Sequence, residues 1–162
     1  MTPQAPASRA LLAPELPLAF FGFLLNFVWE MWAVPFYADI GEARHWDVIW
    51  LCTQATLGDV AILVSAFWGA AAVARTRAWA LTPRLLPFTI YLGVGLAVTV
   101  VFEHLATTTL DRWAYAEAAS VLPVLGTGLA PLLQWLLLPP LALSLARYQL
   151  LGAIHVNASN PK

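Results

Sequence analysis

Residues 85–106 read L-L-P-F-T-I-Y-L-G-V-G-L-A-V-T-V-V-F-E-H-L-A and carry no charge before Glu103. Crossing a hydrocarbon core of roughly 30 Å takes about 20 mostly apolar residues in a helix, so this run predicts a membrane-spanning helix. Working outward from it, three more runs of that length stand between charged or turn-rich stretches, at residues 17–37, 48–74 and 119–146. The connectors are short: the first holds Asp39, Gly41, Glu42, Arg44 and Asp47, the second is residues 75–84, and the third holds Asp111, Arg112 and Glu117. The expected fold is all-α, an integral membrane four-helix bundle, with residues 1–162 forming a single transmembrane domain.

Composition supports the same reading. Of 162 residues, 60% are hydrophobic and only 10% charged, against roughly 25% charged in ordinary soluble domains, and the mean hydropathy is +0.73. So few charges cannot cover a water-facing surface. The net charge of -1 comes with no basic stripe, which disfavours nucleic acid as a partner. The single cysteine, Cys52, excludes an intrachain disulfide and any multi-cysteine metal site. Arg9 precedes the first apolar run, but that run contains Asn26 and Glu30 and lacks a clear small-x-small cleavage site, so it reads as a retained helix rather than a secretion signal.

Positive residues are held on the cytoplasmic side of a membrane. In a four-span arrangement Arg9, Arg75, Arg77, Arg84, Arg147 and Lys162 fall on one side, against Arg44 and Arg112 on the other. Both termini are therefore expected to be cytoplasmic. Tryptophan and tyrosine favour the membrane boundary. Trp32, Tyr37, Trp46, Trp50, Trp113 and Tyr115 are expected to form an outer belt, and Trp79 to sit at the inner boundary. A three-span alternative stays open at this point. A central acidic residue costs about 2.5 to 3.5 kcal/mol on insertion scales, while each Leu, Phe or Val returns about 0.3 to 0.6. The apolar residues of the first run, Leu18, Phe20, Phe21, Phe23, Leu24, Leu25, Phe27 and Val28, thus only just balance Glu30.

An ionisable residue inside a span is expensive and marks a functional site by default. Glu30, Asp59, Glu103 and His104 qualify. Asn26 and Glu30 are four apart on one helix face, Thr56 and Asp59 share a face of the second run, and Gln134 lies deep in the fourth. Glu103 and His104 are about 100° apart around a helix, so at most one points at the bundle centre. The expected ligand-binding set is Asn26, Trp29, Glu30, Asp59, Glu103, His104 and Gln134, with Glu30, Asp59 and Glu103 as candidate catalytic acids, in a pocket open to the outer face. A plainer reading treats the same residues as helix-helix hydrogen bonds, and the tryptophans as packing.

Carboxylates and imidazole suit zinc, iron or manganese, which makes Glu103 and His104 candidate metal ligands, although no H-E-x-x-H pair is present. His45 and His104 fall on the same side and define a haem alternative. Buried carboxyl groups equally suit acid-base or proton-coupled chemistry. The sequence names no cofactor and does not decide whether the site is catalytic. In the fourth run Pro123, Pro131, Pro139 and Pro140, with Gly126 and Gly128, are expected to kink or break the helix. Gly93 and Ala97 form a small-xxx-small face suited to close helix contact.

The combination N-F-V-W-E-M-W-A-V-P-F-Y (residues 26–37), Gly58-Asp59, Glu103-His104, R-W-A-Y (residues 112–115) and P-L-L-Q-W (residues 131–135) resembles an uncharacterised family of short bacterial four-helix integral membrane proteins. The likeness runs over most of the chain and implies a bacterial inner-membrane location and a common role for these residues, but no reaction. A fainter likeness is to the four-helix sterol-isomerase and sigma-2-receptor fold, in which intramembrane acids and a tryptophan cradle a cationic ligand. The motifs here do not follow that order, and no functional residue is carried over. The expected role is binding or processing a small lipophilic molecule. The alternatives are a proton-coupled transporter or channel subunit, and a non-catalytic assembly partner of a membrane complex or a homo-oligomer.

Overall fold

The computed structural model describes residues 13–38, 40, 43–110, 112–117, 119–122 and 126–159. Arg9, Asp39, Gly41, Glu42, Asp111, Pro123 and Lys162 lie outside the described residues. Four long helices are present: α1 (Glu15–Ala33), α2 (His45–Ala74), α3 (Leu85–His104) and α4 (Leu129–Ser159). With their short extensions, all four are long and apolar enough to cross a membrane. α1 packs against α2 and α4, and α3 packs against the same two, so the helices close a ring.

The polarity of the bundle is that of a protein solvated by lipid. Along α1, Leu16, Phe20, Leu24, Val28 and Trp32 recur every fourth residue and are all exposed, while Leu18, Gly22 and Asn26 form the buried stripe two positions out of phase. The bulky apolar stripe faces out, and the stripe that carries Asn26 faces in, the reverse of the pattern for water. Because lipid tails are as apolar as leucine, helix association depends on close packing and interhelical hydrogen bonds. Small residues supply the first: Ala66, Ala70, Ala71, Ala142 and Ala146 sit in the core with Leu18, Leu63, Phe67, Trp79 and Tyr91. Gly22 lets α1 approach Leu63 of α2, and Gly95 lets α3 approach the Trp135 ring of α4. A Cβ at Gly22 would fall 2.5 Å from Leu63 Cδ2. This core lies toward the end where α1 begins and α4 finishes. There the Arg77 guanidinium meets Glu15 at 3.1 Å and Arg147 Nε donates to the Leu81 carbonyl at 2.8 Å.

Several ends have local causes. α1 gives way to a 3₁₀ turn at Val34–Phe36, with Val34 still in the right-handed helical region and Pro35 at the start of the turn, and the chain becomes extended at Tyr37. α2 stops at Arg75, which takes the left-handed conformation (φ 55°) and donates back to the Ala71 and Ala72 carbonyls. α3 runs on into a π-helical turn, Leu105–Thr109, directly after Glu103 and His104.

The fourth apolar run differs from the sequence reading. It is not one helix from residue 119. Val121–Leu122 (β1) and Thr127–Gly128 (β2) form a short antiparallel hairpin, and α4 starts only at Leu129 and continues to Ser159. Gly126 turns the hairpin with φ 62°, a conformation that costs other residues and not glycine. Pro131 sits in the first turn of α4, where its missing N–H is tolerated. Pro139 and Pro140 lie inside α4 without ending it; the Tyr91 hydroxyl donates to the Pro139 carbonyl at 3.2 Å. Trp79, in the connector between α2 and α3, is buried against Phe67 and Tyr91. Gly93 and Ala97 face outward, and the close contact on α3 is made on the opposite side of the helix, at Gly95.

Candidate functional site

The polar residues of three helices converge on one atom. Gln134 Nε2, on α4, lies 2.9 Å from Asn26 Oδ1 and 3.0 Å from Glu30 Oε1 on α1, and 2.9 Å from Asp59 Oδ2 on α2. Asn26 is held in register by its own amide, which donates to the Gly22 carbonyl at 2.7 Å and so turns its oxygen toward Gln134. Asn26 and Gln134 are buried, and Glu30 and Asp59 are half-buried. An amide nitrogen has two protons; three acceptors around it leave one oxygen without a full share.

The third acid comes from α3. Glu103 is buried, and its Oε2 accepts from the Tyr115 hydroxyl. That hydroxyl in turn accepts from the Gly128 N–H at 2.8 Å. A Cβ at Gly128 would fall 2.7 Å from the Tyr115 ring, so glycine is needed for the ring to lie there. Burial, and then the Glu103 carboxyl beside it, push the Tyr115 phenol above its ordinary range and keep it a proton donor.

Tyr115 also belongs to a lid. The backbone at Tyr37 bridges that at Tyr115, with Ala38 N donating to the Ala114 carbonyl at 2.9 Å and Ala116 N to the Phe36 carbonyl at 3.0 Å. The two rings stack at 5.7 Å, and Trp113 meets Tyr37 edge-on at 6.3 Å. The connectors after α1 and after α3 are thereby sewn together across the end of the bundle.

Under the lid lies a cavity of about 460 Å³ whose walls come from all four helices. Glu30, Gln54, Asp59, Thr99, Glu103 and Gln134 are its polar lining; Val34, Ile62, Phe102 and Trp135 are among its apolar walls; Tyr37, Ile40 and Trp113 reach it from the lid. No Arg, Lys or His is among the described residues that line it. The Thr99 hydroxyl is buried and has no hydrogen-bond partner among the described residues. The size suits a small organic molecule.

The sequence-selected residues divide accordingly. Glu30, Asp59, Glu103 and Gln134 line the cavity, and Asn26 supports Gln134 from behind. His104 is exposed and absent from the lining: α3 presents Glu103 inward, and the neighbouring position is turned to the outside. Trp29 is half-buried, packed against Trp32 at 5.1 Å, and does not line the cavity. Among the described residues no three His, Cys, Asp or Glu side chains are grouped to hold a metal ion. His45, the other haem candidate, is exposed beside Trp46. Sequence reasoning missed Tyr37, Trp113 and Tyr115 as site residues by assigning them to the boundary belt, and missed Thr99, an inconspicuous hydroxyl in an apolar run. The R-W-A-Y motif carried the only signal for the lid.

The chain matches no family model, no curated protein and no solved structure. Its class rests on its own architecture: an all-α, four-helix membrane bundle.

Proposed function

We propose that the chain is a multi-pass protein of the bacterial inner membrane, with both termini cytoplasmic, that binds or processes a small lipophilic molecule in the cavity between its helices. One observation carries this reading. A cavity with mostly apolar walls, at the level of the spans, is lined by three carboxyl groups, two amides and a threonine hydroxyl without a partner among the described residues. Polar groups at that depth are retained at a cost unless they are used. If the site is catalytic, its class is acid-base chemistry by Glu30, Asp59 or Glu103, since carboxyl groups dominate its ionisable residues. The orientation is supported by Arg75, Arg77, Arg84 and Arg147 at one end of the bundle against Arg44 and Arg112 at the other. The family resemblance supports the bacterial location.

The test is mass spectrometry of small molecules extracted from detergent-purified protein, together with an absorbance spectrum and metal analysis. A stoichiometric lipophile lost in Glu30→Gln or Asp59→Asn protein that stays folded supports the proposal; protein purified empty counts against it. A second reading, proton-coupled transport, is favoured by one arrangement: Glu30 and Asp59 surround a single nitrogen. It requires proton-coupled flux in liposomes that the same two substitutions abolish.

A further inference from the structure

Two features of the cavity restrict what fits it and where it enters. The first is the chemistry of its lining. Three carboxyl groups, Glu30, Asp59 and Glu103, stand there with the Gln54 and Gln134 amides, and the Thr99 hydroxyl and Trp113 indole N–H have no hydrogen-bond partner among the described residues. The described lining contains no basic side chain. An anionic headgroup would find no basic partner there, whereas an ammonium brings several N–H donors and a positive charge to three carboxyl groups. Aromatic faces at Tyr37, Trp113 and Trp135 suit a cation as well.

The second is the opening. On α2 the cavity is bordered by Ala55, Gly58 and Ala61, and across from them on α3 by Phe102; all four are exposed. They stand within the spans, on the side of the bundle, while the end above is covered by the paired connectors at Tyr37 and Tyr115. A Cβ at Gly58 would meet nothing within 4 Å. The mouth thus opens between α2 and α3 toward the acyl chains and not toward water.

We propose that the occupant is a lipophilic amine, drawn from the bilayer between α2 and α3, whose ammonium group sits among Glu30, Asp59 and Glu103. This rests on the reading of the cavity as a lipophile site and narrows it to one chemical class and one route.

The experiment uses the full chain in phosphatidylcholine nanodiscs and measures equilibrium binding of radiolabelled dodecylamine, with dodecanol and dodecanoate as competitors of the same chain length. Saturable amine binding is expected, about tenfold tighter than the alcohol, with the carboxylate not competing. The Glu30→Gln, Asp59→Asn double variant should lose the advantage of the amine over the alcohol. Gly58→Phe, which places a ring at the mouth, where an added Cβ meets nothing within 4 Å, should slow association by about tenfold. Equal competition by all three probes overturns the amine assignment while leaving a lipophile site, and no saturable binding of any probe overturns both. An unchanged association rate in Gly58→Phe overturns the lateral route. Cys52, buried and lining the cavity, gives a check on location, because an occupant there should shield it from maleimide.

Discussion

Gln134 Nε2 and Asp59 Oδ2 meet at 2.9 Å across the interior of the bundle, joining the last helix to the second. The same nitrogen faces Asn26 and Glu30, so one side chain serves three acceptors on two other helices. Gln134→Leu removes the shared donor and leaves buried oxygens without it. The expected loss is about 2 to 3 kcal/mol, read from denaturant unfolding in detergent. Gln134→Glu should lose more, because it adds like charge to Glu30 and Asp59. A Gln134→Leu protein as stable as wild type would show that the network contributes nothing to the fold.

Tyr115→Phe deletes both the bond to Glu103 and the one from the Gly128 N–H. A loss of about 1 to 3 kcal/mol is expected, with faster hydrogen exchange confined to the backbone around residues 36–38 and 114–116. The phenol of Tyr115 is held above its unfolded value. Its contribution is therefore fully present below about pH 10, the ordinary phenol range, and lost only as pH rises through the folded value. The stability gap between wild type and Tyr115→Phe should stay constant from neutral pH up to that range, and a gap that closes near neutrality would contradict the assignment.

Three glycines separate packing from opening. Gly95→Ala drives a methyl into the Trp135 ring, and Gly128→Ala drives one into the Tyr115 ring. Each should cost about 1 to 3 kcal/mol as overpacking. Gly58→Ala meets open space and should leave unfolding unchanged or slightly improved, since alanine is the better helix former. Thermal unfolding of the three variants side by side tests the ranking.

Glu30→Gln and Asp59→Asn keep side-chain volume while removing charge. Each should leave the helical circular-dichroism spectrum intact and lower retention of the bound lipophile by about tenfold or more, measured by mass spectrometry of the extract. His104→Ala, on the exposed side of α3, should change neither. Loss of retention in His104→Ala alone would move the site outside the cavity described.

The spans were legible because lipid demands a long uninterrupted apolar run, and residues 85–106 meet that demand without needing any tertiary context. The fourth run was misplaced for a related reason. Residues 119–128 are apolar enough to pass as part of a span, but Val121, Leu122, Thr127 and Gly128 form a hairpin, and Gly128 lies under Tyr115. Hydropathy does not distinguish facing lipid from roofing a cavity. The choice between Glu103 and His104 turned on about 100° of helix rotation, set by how α3 packs on α2 and α4. Asn26, Glu30, Asp59 and Gln134 could be selected singly from the cost of polarity in a membrane. That three of them share a single nitrogen of Gln134 is a matter of tertiary geometry, and no spacing in the chain encodes it.

The partner of Glu30 lies 104 residues further along the chain. At synthesis rates of about 5 to 20 residues per second, Glu30 is made about 5 to 20 s, and Asp59, 75 residues before Gln134, about 4 to 15 s, ahead of the side chain that completes their polar contacts. During that interval the growing protein holds two acids whose amide donor has not yet been translated. α4 is thus a latch: its arrival distinguishes a finished bundle from an abandoned one, and a chain cut short before residue 129 leaves both acids without Gln134 for membrane proteolysis to recognise.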